Sequence, residues 1–342
     1  MASFSQFGND LYSGKRSIDF VGRRRIWYIV SAVLVLIALI GPWLRGGYEF
    51  GIEFRGGSEF TVSQVSSMDQ TLATDAVNDV APGVNPRVST LGGDSVRVQT
   101  DELDKTQTST VQDALASAYS VPSDDVTTSF IGATWGQDIT TQAIRGLVIF
   151  LVLVAVFMAL YFRTWKMAAA ALIALLHDLV ITAGVYGLTG LEITPAAVIG
   201  FLTILGYSLY DTVVVFDKIR ENTAGMTERG TQTFPEMVNL AINQTLVRSI
   251  NTSIVAALPV ASILIIGSFV LGASTLRDIS LALLIGIIVG TYSTIFVAAP
   301  LYVQFREKEP KMRKHDARVE TDRERAAKTA AGAVGSEATA SA

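Results

Sequence analysis

The chain has 342 residues, of which 50% are hydrophobic and only 17% are charged, and its mean hydropathy is +0.41. Soluble domains carry about 25% charged residues, so this composition is typical of a membrane protein. The net charge of −4 excludes a polycation that wraps nucleic acid, because such a protein needs a basic face. With no Cys and two His, His177 and His315, we expect neither a disulfide scaffold nor a thiolate or His-rich metal site, and no cofactor.

Six apolar stretches are long enough to cross about 30 Å of hydrocarbon, which takes about 20 helical residues. The predicted spans are 27–44, 143–162, 167–188, 194–217, 249–271 and 279–303. The first is expected to be a retained anchor. Its polar leader, 1–26, is long for a signal peptide, and no small-residue cleavage pattern follows the span.

The distribution of Lys and Arg predicts the orientation of these spans. Basic residues concentrate in segment 1–26, in the loops after the second and fourth spans, and after the sixth span. The turn 188–193 has no basic residue, and the turn 272–278 has only Arg277. Both termini are therefore predicted to be cytoplasmic in a multi-pass protein.

The loop between the first two spans, 45–142, is long enough to form a small domain outside the membrane. Its predicted elements are a strand with Val62 and Val65, a helix with Leu72, Ala76 and Val80, a hairpin with its turn at 91–94, a helix over Thr106–Ala118 and a strand over Val126–Ile131. This β-α-β-β-α-β order is the split βαβ, or ferredoxin-like, arrangement. The predicted fold class is a six-helix transmembrane bundle with a small α+β ferredoxin-like domain between helices 1 and 2.

Two further segments are predicted to lie in the cytoplasm. Segment 218–248 is expected to be a linker that includes an amphipathic helix from Phe234 to Leu246. Segment 304–342 is charged and then rich in Ala, Gly, Ser and Thr, which predicts a largely disordered tail.

Four ionisable residues fall within or at the edge of the predicted spans. An ionisable group at membrane depth costs at least about 2.5–3.5 kcal/mol on insertion scales, so it usually faces a partner or a cavity. They are His177 and Asp178 in the third span, Asp211 in the fourth, and Arg248 at the start of the fifth. Helical spacing predicts three polar faces: Thr203, Tyr207 and Asp211; Asp178, Thr182 and Tyr186; and Arg248 with Asn251 and Thr252.

Asp211 and Arg248 allow two interpretations. In a proton relay, burial would favour the protonated Asp211 and a nearby Arg248 would favour the ionised form, so a movement of either partner would bind or release a proton. In a static pair, the two charges neutralise each other and hold the bundle together. His177 and Asp178 could support a relay or form an interhelical hydrogen bond. Tyr207, Thr203 and Asn251 are further possible supporting residues of the relay. Glu192 is expected to be solvated at the outer mouth of the bundle, and Tyr207 and Tyr210 are expected to pack.

Several stretches carry a resemblance to a known family. They are 51–57 (GIEFRGG), 176–178 (LHD), 206–222 (GYSLYDTVVVFDKIREN, the most specific) and 246–253 (LVRSINTS). Together with six spans and a large first loop, they make the chain similar, over about 20–305, to the SecF family. SecF proteins are membrane subunits of the SecDF accessory complex of protein translocation, and they are related to the resistance–nodulation–division (RND) transporters. The resemblance implies that the bundle is half of an RND-type unit.

The resemblance also implies a function. It implies a non-enzymatic role late in protein export, in the bacterial cytoplasmic membrane, where proton flow helps to draw the translocating polypeptide outward. The implied partners are SecD and the SecY–SecE–SecG channel, with no nucleic acid, and the implied proton-conducting residues are Asp211 and Arg248. The family usually has Asp at the position of Glu53 and Asn at that of Tyr210, so an amide beside Asp211 is absent here.

Two other functions remain open from the residues. One is half of an RND-like exporter of small molecules or lipids, which would be expected to have a larger outer region than this chain has. The other is a non-conducting scaffold of the translocon, in which Asp211 and Arg248 matter only for folding. An intramembrane enzyme is disfavoured, because His177 has no second His for metal ligation and no Ser lies in a nucleophile motif. No phosphate-binding loop is present, so ATP is not expected to be the energy source within this chain.

Overall fold

The computed structural model describes residues 4–224, 226 and 231–340. The helices are α1 (Phe4–Tyr12), α2 (Arg24–Leu44), α3 (Ile52–Arg55), α4 (Gln70–Val80), α5 (Lys105–Tyr119), α6 (Ala133–Phe162), α7 (Trp165–Thr189), α8 (Pro195–Thr223), α9 (Phe234–Ile265), α10 (Ser274–Arg306) and α11 (Pro310–Ala340). Within the described residues, six helices are long and apolar enough to span a membrane. They are α2 and α6–α10, which confirms the predicted bundle. A π-helical turn extends α9 through Ile266–Val270, and another, Thr294–Ala298, interrupts α10.

The segment between α2 and α6, which we call the insert, folds as a sheet covered by two helices. Its strands are β1 (Gly57–Val62), β2 (Arg87–Leu91), β3 (Ser95–Thr100) and β4 (Val126–Ile131), in the order β2-β3-β1-β4 with antiparallel neighbours. Alternate residues of the central strands, among them Phe60 and Val98, are buried beneath α4 and α5. The ferredoxin-like prediction is therefore confirmed.

Helix α4 packs on the sheet mainly through Ala73 and Val77, which are fully buried. Ala76 and Val80 are partly buried against the same core, whereas Leu72 lies at its edge and is 37% exposed.

The spans pack closely where one of them has a glycine. A Cβ added to Gly184 of α7 would lie 2.2 Å from Cβ and 2.5 Å from Cα of Ala38 in α2. A Cβ on Gly286 of α10 would lie 2.3 Å from Ile204 of α8. Small residues at such crossings let backbones approach, and they provide much of the association between helices in a membrane.

The predicted linker 218–248 is mostly helical and continuous with the spans on either side of it. Helix α8 continues to Thr223, and α9 begins at Phe234 and runs through to Ile265 without a break. A capping box between Thr233 and Glu236 starts α9, and its buried face continues into the span, so the amphipathic helix and the fifth span are one helix. The connection between α8 and α9 includes residues 225 and 227–230, which lie outside the described residues.

The predicted disorder of the tail is also contradicted, because α11 is helical. Ala, Glu, Lys and Arg dominate its sequence, and these residues have high helix propensity. Its buried residues Met312, His315 and Val319 recur at helical spacing. Asp316 accepts a hydrogen bond from the backbone N–H of Phe234 at 2.7 Å, so the tail helix caps the start of α9. Residues 1–3 and 341–342 of the predicted terminal segments lie outside the described residues.

The insert is attached to one end of the bundle, which we call the domain end; the termini lie at the other. The backbone N–H of Ile193, in the turn between α7 and α8, donates to the carbonyl oxygen of Glu49 at 2.7 Å. On β3 of the insert, Arg97 is 4% exposed and forms an ion pair of 2.9 Å with Glu192 in the same turn. The expectation that Glu192 is solvated is therefore wrong, because a buried arginine needs a carboxylate partner.

Candidate functional site

Asp211 lies in the interior of the bundle, on α8. Its side chain is 5% exposed, and its Oδ1 accepts a hydrogen bond of 2.8 Å from the hydroxyl of Ser249 on α9. Its Oδ2 is buried and has no hydrogen-bond partner among the described residues. The hydroxyl of Tyr207, one turn before Asp211, is also buried, with Ser253 and Asp211 as its polar neighbours. A carboxyl group with one satisfied and one free oxygen can hold or lose a proton at the free oxygen.

Asp178 on α7 forms a second buried site. It is 2% exposed, and its Oδ2 accepts a short hydrogen bond of 2.6 Å from the hydroxyl of Ser208 on α8. Its Oδ1 lies 3.2 Å from Nδ1 of His177. The Nε2 of His177 is buried without a hydrogen-bond partner among the described residues, and the ring stacks on Tyr292 of α10.

A set of hydroxyl contacts joins these sites to α10. Their partners are Thr212 with Thr294 (3.0 Å), Ser253 with Thr291 (2.5 Å) and Ser31 with Tyr292 (2.9 Å). Each contact joins one helix of the bundle to residues 291–294, next to the π-helical turn of α10. The turns of α10 at this level therefore connect α2, α8 and α9 around the two carboxyl groups.

The structure separates several residues that the sequence placed together. Arg248 is exposed and forms no direct ion pair with Asp211, although its charge is near enough to act on that carboxyl group. Its neighbour Ser249 faces Asp211 instead, because successive helical residues point about 100° apart. Asn251 is exposed for the same reason. Thr203 is exposed as well, and its hydroxyl bonds the carbonyl oxygen of Ile199 in its own helix. The two residues are eight positions apart, so the side chain of Thr203 is rotated about 80° around the helix axis from that of Asp211.

Sequence reasoning missed the two serines that hold the carboxyl groups. Ser208 precedes Asp211 by three residues and Ser249 follows Arg248 directly, so both stood beside residues already singled out. The signal that could have found them is a small hydroxyl residue within one turn of a charged residue in a span, since such side chains form hydrogen bonds across helices. The polar faces alone do not show which side of a helix is buried.

The side of α9 that carries Arg248 forms an exposed stripe, which we call the α9 stripe. Its members follow one another at intervals of three and four residues: Arg248, Asn251, Val255, Leu258 and Ser262, all exposed. Residues at this spacing share one face of a helix and are the pattern that packs against another helix. On the described surface, this stripe combines a charge and an amide with large apolar residues.

No group of three or more His, Cys, Asp or Glu side chains placed to hold a metal ion occurs among the residues that the structure describes. The buried polar groups described in the bundle are the carboxyl groups of Asp211 and Asp178, the ring of His177 and the hydroxyls that contact them. Fold and site together define a multi-pass membrane protein with an α+β insert and with carboxyl groups buried between its spans.

Comparison with known proteins gives the family. Residues 110–308 match the model of the family described as "Protein export membrane protein SecD/SecF, C-terminal". The chain is 44% identical over 314 residues to protein translocase subunit SecF of Streptomyces coelicolor, covering 92% of this chain and 83% of the relative. It is 43% identical over 324 residues to that of Mycobacterium tuberculosis H37Rv, covering 92% and 72%. The chain therefore belongs to the SecF family of protein translocase subunits, which act in protein translocation.

The fold agrees with a solved relative. The crystal structure of SecDF from Thermus thermophilus, described as a translocon-associated membrane protein, superimposes with a TM-score of 0.74 at 30% sequence identity. The match covers 86% of this chain and 39% of that one. The chain thus spans about two fifths of the longer SecDF protein.

Proposed function

We propose that this chain, together with a SecD partner beside the SecY–SecE–SecG channel, uses proton movement to help complete the export of polypeptides. The supporting observation is Asp211, a carboxyl group buried between α8 and α9 with one oxygen held by Ser249 and the other free. A static structural carboxylate would have both oxygens satisfied, because an unpaired buried charge is costly. A free oxygen provides the place where a proton can bind and leave.

The α9 stripe supports the need for a partner. An uncovered Arg248 facing hydrocarbon would cost at least about 2.5 kcal/mol, and Asn251 would add a further polar group. A second helix bundle packed on the stripe would cover both. In this arrangement Arg248 acts from the interface between the two subunits, not as a static partner of Asp211.

Attachment of the insert supports a mechanical role. The turn between α7 and α8 is hydrogen bonded to the insert, and Arg97 is paired with Glu192 in that turn. Helix α7 carries Asp178, and α8 carries Asp211. A change in packing around these carboxyl groups would therefore move the turn and, through it, the insert. We propose that both termini are cytoplasmic, so that the insert contacts the polypeptide outside.

The test is the rate at which a secreted protein is released outside cells that carry Asp211→Asn. Asn keeps the acceptor for Ser249 but cannot ionise, so we expect release to stall while membrane level and co-purification with SecD stay normal. Asp217→Asn is the matched control: it lies on the same helix, and its carboxylate accepts from the Tyr161 hydroxyl at the surface. Normal release with Asp211→Asn would refute proton coupling at this site and favour a scaffold.

A further inference from the structure

A cavity of about 380 Å³ lies between the insert and the domain end of the bundle. Arginines from four different elements line it: Arg45 after α2, Arg87 on β2, Arg97 on β3 and Arg277 in α10. Two acidic residues, Glu49 and Glu192, lie on the same wall. Four arginines thus meet at the end of the bundle that otherwise has few basic residues.

One of the four arginines has no carboxylate partner. Three are paired, as Arg87–Glu49, Arg97–Glu192 and Arg277–Asp278. Glu59 lies beside Glu192, because the Gln99 amide donates to both carboxylates. Arg45 is exposed and donates to the carbonyl oxygen of Leu188 at 2.7 Å, and it has no carboxylate partner among the described residues. Arg45 is therefore the arginine of the cavity that is available to an added anion.

The position of the cavity indicates which anion is present at that level of the membrane. Trp43 and Leu44, directly before Arg45 at the end of α2, are 73% and 84% exposed. Tryptophan at the end of a span marks the level of the lipid headgroups. Gly190 leaves room for the Arg45 guanidinium, since a Cβ there would lie 3.0 Å from its Nη2. The arginine is thus held at the level where lipid phosphates are concentrated.

We propose that this cavity binds the phosphate of an anionic phospholipid headgroup on the insert side of the membrane. A phosphodiester carries one negative charge and can pair with Arg45, and arginine presents paired donors suited to phosphate oxygens. Arg87 comes from the insert, whereas Arg45 and Arg277 come from the bundle, so the bound phosphate ties the two together. This proposal does not depend on proton coupling at Asp211.

The first experiment measures binding of short-chain phosphatidylglycerol to the purified full-length chain in neutral detergent. We expect saturable binding, at least about tenfold tighter than that of phosphatidylcholine, whose choline group neutralises the phosphate. Arg45→Gln is expected to weaken binding at least about tenfold, as is Arg277→Gln. Arg145→Gln is the matched control, because Arg145 is an exposed arginine near the same end of the bundle that does not line the cavity. An unchanged dissociation constant in Arg45→Gln, or equal binding of phosphatidylcholine, would overturn the proposal.

A second variant separates binding from misfolding. Glu49→Gln removes a competing carboxylate from the wall, so it should tighten phosphatidylglycerol binding by a few-fold, a gain that a misfolded protein would not show. Weaker binding in this variant would contradict the charge argument. Inorganic phosphate distinguishes the source of the anion: weak competition supports the lipid, whereas phosphate that binds as tightly as the lipid refutes it. Displacement by an acidic peptide at lower concentration than by lipid would also refute it.

Discussion

Replacement of Ser208 by alanine removes the hydroxyl that donates to Asp178, and its cost shows how far that carboxylate depends on a single hydrogen bond. The donor and acceptor are 2.6 Å apart, and Ser208 is 1% and Asp178 2% exposed, so water cannot replace the lost donor. Hydrogen bonds to charged groups contribute about 1.5–3 kcal/mol. Hydrogen bonds between membrane helices average about 0.6 kcal/mol. We expect Ser208→Ala to lower the free energy of unfolding by about 2 kcal/mol, which is about 30-fold in the equilibrium constant.

The assay is reversible unfolding of the purified chain in mixed micelles of nonionic and anionic detergent, followed by circular dichroism. Two variants on the same helix calibrate it. Thr212→Val removes a neutral contact of 3.0 Å with Thr294, and should cost about 0.6 kcal/mol. Thr203→Val removes an exposed hydroxyl that bonds only its own helix, and should change stability by less than about 0.5 kcal/mol.

The unfolding free energies of the three variants together test whether the hydrogen bond from Ser208 to Asp178 is charge-assisted. If Ser208→Ala lowers the free energy of unfolding no more than Thr203→Val does, the short hydrogen bond to Asp178 does not contribute to stability. If it costs the same as Thr212→Val, Asp178 behaves as a neutral carboxyl group and the charge-assisted argument fails. A cost near 2 kcal/mol supports an ionised Asp178.

Three further changes test the packing, the attachment of the insert and its pH dependence. Gly184→Ala should lower the midpoint of thermal unfolding, because its Cβ would overlap the backbone of Ala38 and overpacking costs about 1–3 kcal/mol. Gly146→Ala, whose Cβ would have nothing within 4 Å, should leave the midpoint unchanged. Equal midpoints for the two variants would contradict this prediction. Arg97→Gln breaks a buried ion pair between the insert and the bundle. The rate of amide hydrogen exchange in the turn between α7 and α8 should therefore rise at least about tenfold. An unchanged rate would mean that the other contacts hold the turn without the ion pair. Burial raises the pKa of Glu53 above its ordinary 4.5, so the native state retains a proton that the unfolded chain has lost, and stability falls as pH rises above about 4.5. Glu53→Gln should remove that dependence and raise the unfolding midpoint at pH 7, and a midpoint that falls there would contradict the sign.

The site shows where sequence reasoning succeeded in part. Asp178, Thr182 and Tyr186 were predicted to share a face, and all three are buried. Thr203, Tyr207 and Asp211 were grouped by the same rule, yet Thr203 is exposed while Asp211 is buried. Helical spacing predicts which residues lie near each other on a helix over three or four positions. Over eight positions the rotation reaches about 80°, so the two ends of such a series can face different surroundings.

By itself, the sequence determined the elements: six spans from apolar runs of sufficient length, and the β-α-β-β-α-β order of the insert from alternating patterns and turns. It did not determine which side of each span faces the interior, because lipid and bundle interior are both apolar and hydrophobicity does not distinguish them. Only the tertiary structure decided that Ser249 meets Asp211 while Arg248 faces outward. Crossing positions of helices depend on contacts between residues distant in the chain, such as Gly184 with Ala38, and these contacts select the buried side.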